Sequence, residues 1–330
     1  MNIFIRAYGS HLMGMGHLYR VKKLVNYLKK TEVSCNITLL TQKYDEAVDI
    51  YKTIQVDNIV EIKPHISKND EINVLKNIFQ KKYDIVINDQ LNTDNEIAEI
   101  LTDKCKKSIT FDDLGDGNLL FDDIVNVLYP SDKKLTNEIN SYSYMILDDF
   151  STIKKSMKFQ EEIKTIFINQ GAADTWGAIP DMIRDLNLIS ENFKIKVLLG
   201  PSFKHYDELA KALKDNKKQI EIFNFTENVI EVVKDCDLAI LGAGNTLFEV
   251  ASLGIPIVAS TREEKELITI NRLLKESIVY AENKIYTSGL DKIVVEVTKD
   301  KEGRELKYEK NRQIFNYDGL KKITKLIIGE

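Results

Sequence analysis

The chain of 330 residues holds only three cysteines, four histidines and five prolines. Cys35, Cys105 and Cys236 are odd in number and widely spaced. That leaves neither a disulfide framework nor a zinc-ligand spacing, and they read as reduced thiols of a cytoplasmic protein. His11, His17, His65 and His205 show no H-x-x-x-H spacing, so no structural metal is expected. No Pro/Gly-rich linker, internal repeat or low-complexity tract is visible. No apolar run approaches the ~20 residues of a membrane span, and Arg6 interrupts the first apolar stretch too early for a signal peptide. A net charge of only −5 supplies no basic field for nucleic acid.

What is present is ordinary globular composition, 43 % apolar and 29 % charged, at a length that suits two domains of about 150 residues. Short β-branched runs alternate with helical periodicity throughout. The expected strands of the first half are 3–7, 36–41, 59–62, 84–88, 108–111, 124–127 and 144–147. Those of the second are 164–169, 194–199, 219–223, 238–241 and 255–260. Between them Leu18, Val21, Leu24, Val25 and Leu28 share one helix face, and 246–253, 264–275 and 308–328 also read as helical, the last interrupted at Asp318-Gly319. Near-continuous apolar strands separated by helices imply parallel sheets covered on both faces. The expected fold is therefore α/β, with two Rossmann-like doubly wound domains facing across a cleft. The polar, Lys-rich stretch 151–162 is the expected junction between domains 1–150 and 163–330, with the last helix free to pack back on the first.

The stretch RAYGSHLMGMGHLYR, Arg6 to Arg20, carries a strand into a helix that begins near Gly16 or His17. Ligands of open α/β sheets bind at such strand ends, where a helix N-terminus begins. Gly14 and Gly16 let the backbone approach a ligand, but the pattern is G-x-G-H rather than a dinucleotide fingerprint. His17 falls in the first helical turn, where the dipole disfavours imidazolium. It is either a general base or hydrogen-bond donor to an anion, or a residue that merely caps the helix or packs against the sheet. Arg20, one turn on, either holds an acid or phosphate or is a solvated charge.

A second glycine cluster, LGAGNTLFEV, places Gly242 and Gly244 ahead of a helix opened by Asn245 and Thr246, a ready diphosphate site. Glu249 either accepts from two ribose hydroxyls or closes a T-x-x-E capping box with Thr246. Gly171 and Gly200 end two further strands, and Asp174 is placed to cap a helix. Phe225 is a candidate base reader, a core position being the commoner fate of a phenylalanine. Asp89, Asp112 and Asp113 stand at strand ends, either as acid/base or sugar-clamping carboxylates or as turn caps. A Mg²⁺ role for Asp112 and Asp113 finds no third ligand.

These motifs together resemble the nucleotide-sugar hydrolases of the pseudaminic acid pathway and the related spore coat polysaccharide biosynthesis proteins, both GT-B proteins. The resemblance lies in Gly14-Met15-Gly16-His17-Leu18-Tyr19-Arg20, Phe111-Asp112-Asp113 with Asn126, Gln170-Gly171-Ala172-Ala173-Asp174, Leu199-Gly200-Pro201-Ser202, the segment 243–254 and Asp318-Gly319. It implies a UDP-sugar hydrolase of surface-glycan or nonulosonic acid biosynthesis, without cofactor or metal. His17 would activate the attacking water. Gly14, Gly16, Arg20, Asp89, Asp112 and Asp113 would face the sugar. Gly171, Gly200, Phe225, Gly244, Asn245, Thr246 and Glu249 would hold the nucleotide. An inverting glycosyltransferase, a non-catalytic nucleotide-sugar binder and a non-hydrolysing 2-epimerase, whose fuller acidic and histidine set is not seen, are the alternatives. Tyr8 in place of an Asp, Gln90-Leu91 in place of His-Tyr, and Glu263-Glu264-Lys265 in place of an Asn-Gln pair depart from the family pattern, all on the expected sugar side.

Overall fold

A computed structural model describes residues 1–11, 13–131, 135–226 and 228–329. The chain divides into two compact units, Met1–Ile146 joined by the chain from Asp318, and Leu147–Tyr317. The first unit contains β1 (Asn2–Ala7), α1 (Gly16–Leu28), β2 (Asn36–Gln42), α2 (Asp45–Tyr51), β3 (Asn58–Ile62), α3 (Lys68–Ile78), β4 (Tyr83–Asp89), α4 (Asn95–Asp103), β5 (Cys105–Phe111), β6 (Asp123–Val125) and β7 (Glu138–Ile139). The second contains α5 (Ser151–Ser156), β8 (Thr165–Asn169), α6 (Ala178–Asn187), β9 (Lys194–Leu198), α7 (Tyr206–Lys214), β10 (Gln219–Phe223), α8 (Val229–Val233), β11 (Leu238–Leu241), α9 (Asn245–Leu253), β12 (Ile257–Ala259), α10 (Glu266–Lys275), β13 (Tyr280–Ala281), α11 (Leu290–Lys299) and α12 (Lys301–Ile314). The final helix, α13 (Gly319–Ile328), belongs to the first unit.

Both sheets are parallel, as the apolar strand pattern implies. Their orders are β3-β2-β1-β4-β5-β6-β7 and β10-β9-β8-β11-β12-β13. The strand order reverses between β1 and β4 in the first sheet and between β8 and β11 in the second. Loops leaving neighbouring strands part at these switch points and leave a crevice beyond their carboxyl ends. α1 forms because Leu18, Val21, Leu24, Val25 and Leu28 recur on one face, and all five are buried.

Two expectations about the elements change. Residues 144–147 form no strand. Tyr142–Tyr144 is a 3₁₀ turn, and Met145, Ile146 and Leu147 are buried without sheet partners. The last strand is instead the two-residue β7, paired to β6 through Ile124↔Glu138 and Val125↔Ile139. Residues 151–162 lie in the second unit rather than between units. There Arg304 fixes them by donating from Nη1 to the Gln160 carbonyl and from Nη2 to that of Glu161, at 3.1 and 2.6 Å.

The apolar character of 144–147 comes from α13, which packs on this segment and on α1. Gly319 opens α13 directly against the Met145 carbonyl. A Cβ there would stand 1.8 Å from that oxygen, so only glycine allows the backbones to meet. Gly319→Ala is expected to cost about 1–3 kcal/mol, as other overpacking changes do. Faster hydrogen exchange confined to the α13 amides and to 142–147, with a lowered urea midpoint, is the expected result.

Candidate functional site

In a parallel sheet consecutive residues point to opposite faces. At the carboxyl end of β4 this sends Asn88 and Asp89 opposite ways, and each anchors a polar cluster. On the α1 face, Asp89 Oδ1 accepts from His17 Nδ1 at 2.6 Å and from Arg20 Nη2 at 2.5 Å. Asp89 Oδ2 accepts from Arg20 Nε at 2.8 Å. Arg20 Nη1 also donates to Asp112 Oδ2, and the Leu128 amide donates to Asp112 Oδ1 at 2.7 Å. One guanidinium thus joins α1, the end of β4 and the loop after β5.

Arg20 is 7 % exposed, which resolves its earlier ambiguity against a solvated charge. Leaving water costs a guanidinium several kcal/mol, so such burial needs the two carboxylates. Burial alone would push the Asp89 carboxyl up. The Arg20 guanidinium, helped by the hydrogen bond from His17, outweighs it and holds Asp89 below the usual carboxylate range. An ionised carboxylate only accepts, so the Nδ1 bonded to it carries the ring proton. In the neutral ring this leaves the Nε2 lone pair for a ligand or water, and Nε2 meets no partner among the described residues. The His17 side chain is 16 % exposed, so water reaches it. The ring does not cap the helix: Met15 stands at the cap of α1 with no side-chain hydrogen bond.

Asp112 has a left-handed backbone, φ 46°, uncommon for a residue with a Cβ and worth of order 1 kcal/mol in strain. Arg20, the Leu128 amide and the neighbouring turn hold it there. Asp113 points to the opposite side and is fully buried. Its oxygens accept from the amides of Thr93 (3.0 Å) and Gly115 (2.9 Å), from Asn88 Nδ2 (3.1 Å) and from Thr110 Oγ1 (3.0 Å). Its own amide donates to Asn126 Oδ1 at 3.2 Å. The two carboxylates of F-D-D therefore part: Asp112 joins the Arg20 cluster and Asp113 braces the turn.

On the face of Asn88, Arg6 Nη1 donates to Asn88 Oδ1 at 2.9 Å and Arg6 Nε donates to Glu71 Oε1 at 2.7 Å. The Tyr8 hydroxyl donates to the same Glu71 oxygen at 2.5 Å. Tyr8 is buried among Phe4, Leu40 and Ile72, and burial pushes its hydroxyl pKa up. Tyr8 thus sits in the core, where Glu71 satisfies its hydroxyl. Gln90 is also buried, donating to the Asp89 carbonyl at 2.7 Å. Gly14 takes φ 81° and bridges to Ser10, and Gly16 is the first residue of α1.

In the second unit the loops after β8, β9, β11 and β12 gather at the switch point. Gly171 takes φ 71°, and its amide donates to Asn169 Oδ1 at 3.1 Å. A Cβ on Gly200 would stand 2.2 Å from the Ala172 carbonyl, so these two loops meet backbone to backbone. Asp174 caps α6, accepting from the amides of Ala178 at 2.7 Å and Ile179 at 3.0 Å. Gly244 caps α9 with no side-chain bond, so Thr246 and Glu249 form no capping box there. Asn245 and Thr246 fill the first turn of α9, and Glu249 lies buried one turn on. Phe225 overturns the expectation of a core phenylalanine: it is 40 % exposed, beyond the end of β10. Glu263 pairs with Lys265 at 2.8 Å.

Sequence reasoning did not single out Glu266 at this edge, and it gave Gln170 only as the first residue of a motif. Glu266, the first residue of α10, accepts from the Ala243 amide at 2.9 Å. The Nε2 of Gln170 is buried without a partner among the described residues, as is the Oδ1 of Asn245.

Arg20→Met leaves two buried carboxylates uncompensated and is expected to destabilise the first unit by about 3–5 kcal/mol. Because its folded pKa is depressed, Asp89 stabilises the wild type above its unfolded value near pH 4, and that contribution is lost as pH falls through the folded value. In the variant, burial instead raises the Asp89 carboxyl, so protonation stabilises the fold. Urea unfolding at about pH 7 and about pH 3.5 is expected to show the gap between the two proteins narrowing in acid.

Residues 165–325 match the model of the glycosyltransferase family 28 C-terminal domain. The uncharacterised protein MJ1062 of Methanocaldococcus jannaschii is 35 % identical over 292 residues, 84 % of this chain and 59 % of that protein. The chain thus spans about three fifths of that relative's length. The spore coat polysaccharide biosynthesis protein SpsG of Bacillus subtilis is 24 % identical over 288 residues, 82 % of this chain and 80 % of that one. Among solved structures, MurG of Acinetobacter baumannii superposes with TM-score 0.74 at 13 % identity, covering 100 % of this chain and 99 % of that one. The UDP-GlcNAc 2-epimerase of Neisseria meningitidis bound to UDP-GlcNAc follows with TM-score 0.59 at 13 % identity and full coverage of both chains. Among the described residues no helix is long and apolar enough to cross a membrane. With its two parallel-sheet units and a family 28 match over the second, the protein has the glycosyltransferase-like GT-B fold.

Proposed function

We propose that the protein hydrolyses a UDP-linked amino or deoxy sugar in surface-glycan biosynthesis, releasing UDP. One observation carries this reading: His17 Nδ1 lies 2.6 Å from Asp89 Oδ1, a carboxyl that Arg20 also grips, while Nε2 meets no partner among the described residues. This is the arrangement of a general base whose tautomer and orientation are fixed. The family 28 match over the second unit, the polysaccharide role in the name of SpsG and the UDP-GlcNAc bound by a protein of the same fold support a nucleotide-sugar substrate.

In the proposed reaction, water attacks the anomeric carbon opposite the leaving group. The C–O bond to the diphosphate breaks with its electron pair on UDP, and the water proton passes to His17 Nε2. The product sugar has inverted configuration. UDP leaves as an anion stabilised by the backbone amides at the start of α9. The exposed ring of Phe225 is the platform proposed for the base, and Glu249 the acceptor for ribose hydroxyls. Tautomer control needs only Asp89. Arg20 keeps that carboxylate ionised and fixed, and Asp112 fixes Arg20, so both act as positioning residues.

Transfer to an acceptor hydroxyl is the second reading, favoured by the glycosyltransferase family matched over residues 165–325. Purified protein with a panel of UDP-amino sugars is expected to release UDP without any acceptor. His17→Ala is expected to slow release by about 10²–10⁴-fold with KM little changed. Release that appears only on adding a glycan or lipid hydroxyl would select the transferase reading instead. Binding that survives His17→Ala, with no turnover by either protein, would leave a nucleotide-sugar binder.

A further inference from the structure

β11 ends in a loop whose amides lead into α9, and one of them is already taken. The Ala243 N–H donates to Glu266 Oε2 at 2.9 Å. A Cβ on Gly242 would stand 3.2 Å from the same oxygen and 3.4 Å from Gln170 Oε1, so the carboxyl lies flat against the glycine loop. The groups facing it come from every neighbouring segment. The β11 loop gives the Ala243 amide, the end of β8 gives Gln170, and the loop after β12 gives the Thr261 hydroxyl, which also hydrogen-bonds it. Glu263 adds like charge and Lys265 opposite charge. Burial raises this carboxyl above the usual range, Glu263 adds to the rise, and the Thr261 and Ala243 hydrogen bonds oppose it. Gln170 and Asn245 flank the loop with buried amide atoms that have no partner among the described residues.

We propose that a nucleotide diphosphate binding to this loop takes up one proton, which resides on Glu266. The inference rests on the reading of the second unit as the nucleotide site. A carboxylate and a diphosphate are both acceptors and both anions, and they compete for the Ala243 amide. Once protonated, the Glu266 carboxyl yields the amide to a phosphate oxygen. Its new O–H then donates to the ligand instead of repelling it. No bond other than this O–H is made or broken, and the proton comes from solvent. Nucleotide affinity thereby becomes linked to pH.

The test is calorimetry on the full chain with UDP-N-acetylglucosamine, a diphosphate diester with no proton to gain near neutrality. Titrations in buffers of different ionisation enthalpy count the protons taken up. For the wild type the expected count approaches one, with Kd rising about tenfold per pH unit above the free carboxyl's pKa. E266Q is expected to take up no proton and to bind with no pH slope, more tightly than the wild type at the alkaline end. E263Q is expected to keep the slope. Should E266Q fail to fold by circular dichroism, the wild-type proton count decides alone. Binding without proton uptake, or a slope retained by folded E266Q, overturns the proposal and leaves the nucleotide-site reading standing. No binding of the nucleotide sugar or of UDP by either protein at any pH overturns both.

Discussion

A single buried guanidinium organises the first unit's site. Arg20 cannot leave water without opposite charge around it, and Asp89 and Asp112 supply it from two different strand ends. The requirement runs both ways, since neither carboxylate can be buried alone. Three segments distant in sequence are therefore tied to one geometry, including the left-handed turn at Asp112. His17 inherits that geometry. Its ring is bound to a carboxylate that is itself immobilised, so the free nitrogen points where the scaffold dictates. Preorganisation of this kind removes the reorientation a mobile base would need at the moment of reaction.

The second unit repeats the topology with different electrostatics. Charge at the first switch point is balanced within the protein. At the second, helix-start amides, glycine backbone and unsatisfied carboxamides prevail, and Asp174 is spent on capping α6. Glu266 sets a carboxyl against groups suited to receive an anion. Parallel α/β sheets make such a difference easy to encode. The strands set where the loops emerge, and the loops set the chemistry.

Local pattern explains what was legible beforehand. Strand and helix alternation, the start of α1 at Gly16 and the break before Gly319 follow from periodicity and glycine placement, and the structure has them. Pairings across the fold are another matter. His17 and Asp89 lie 72 residues apart, and Arg20 and Asp112 lie 92 apart. Each was visible as a candidate, but nothing in the spacing joined them. Arg20 on a helix reads as a surface charge until its acids are placed. Residues 144–147 look like a strand because a helix from the other end of the chain buries them. Tyr8 takes an interior place because Glu71, far along the chain, satisfies its hydroxyl. Phe225 errs the other way, an aromatic left at the surface where hydrophobicity alone predicts burial.

The chain quits the first unit at Ile146 and rejoins it only at Asp318. During synthesis on the ribosome, the first sheet therefore emerges long before the helix that covers residues 142–147 and part of α1. That apolar surface stays open while the whole second unit is made. The nascent first unit must wait, incomplete, for its own last ten-residue helix. Cutting the chain between the units would yield no self-sufficient N-terminal fragment, since part of its cover is encoded at the far end.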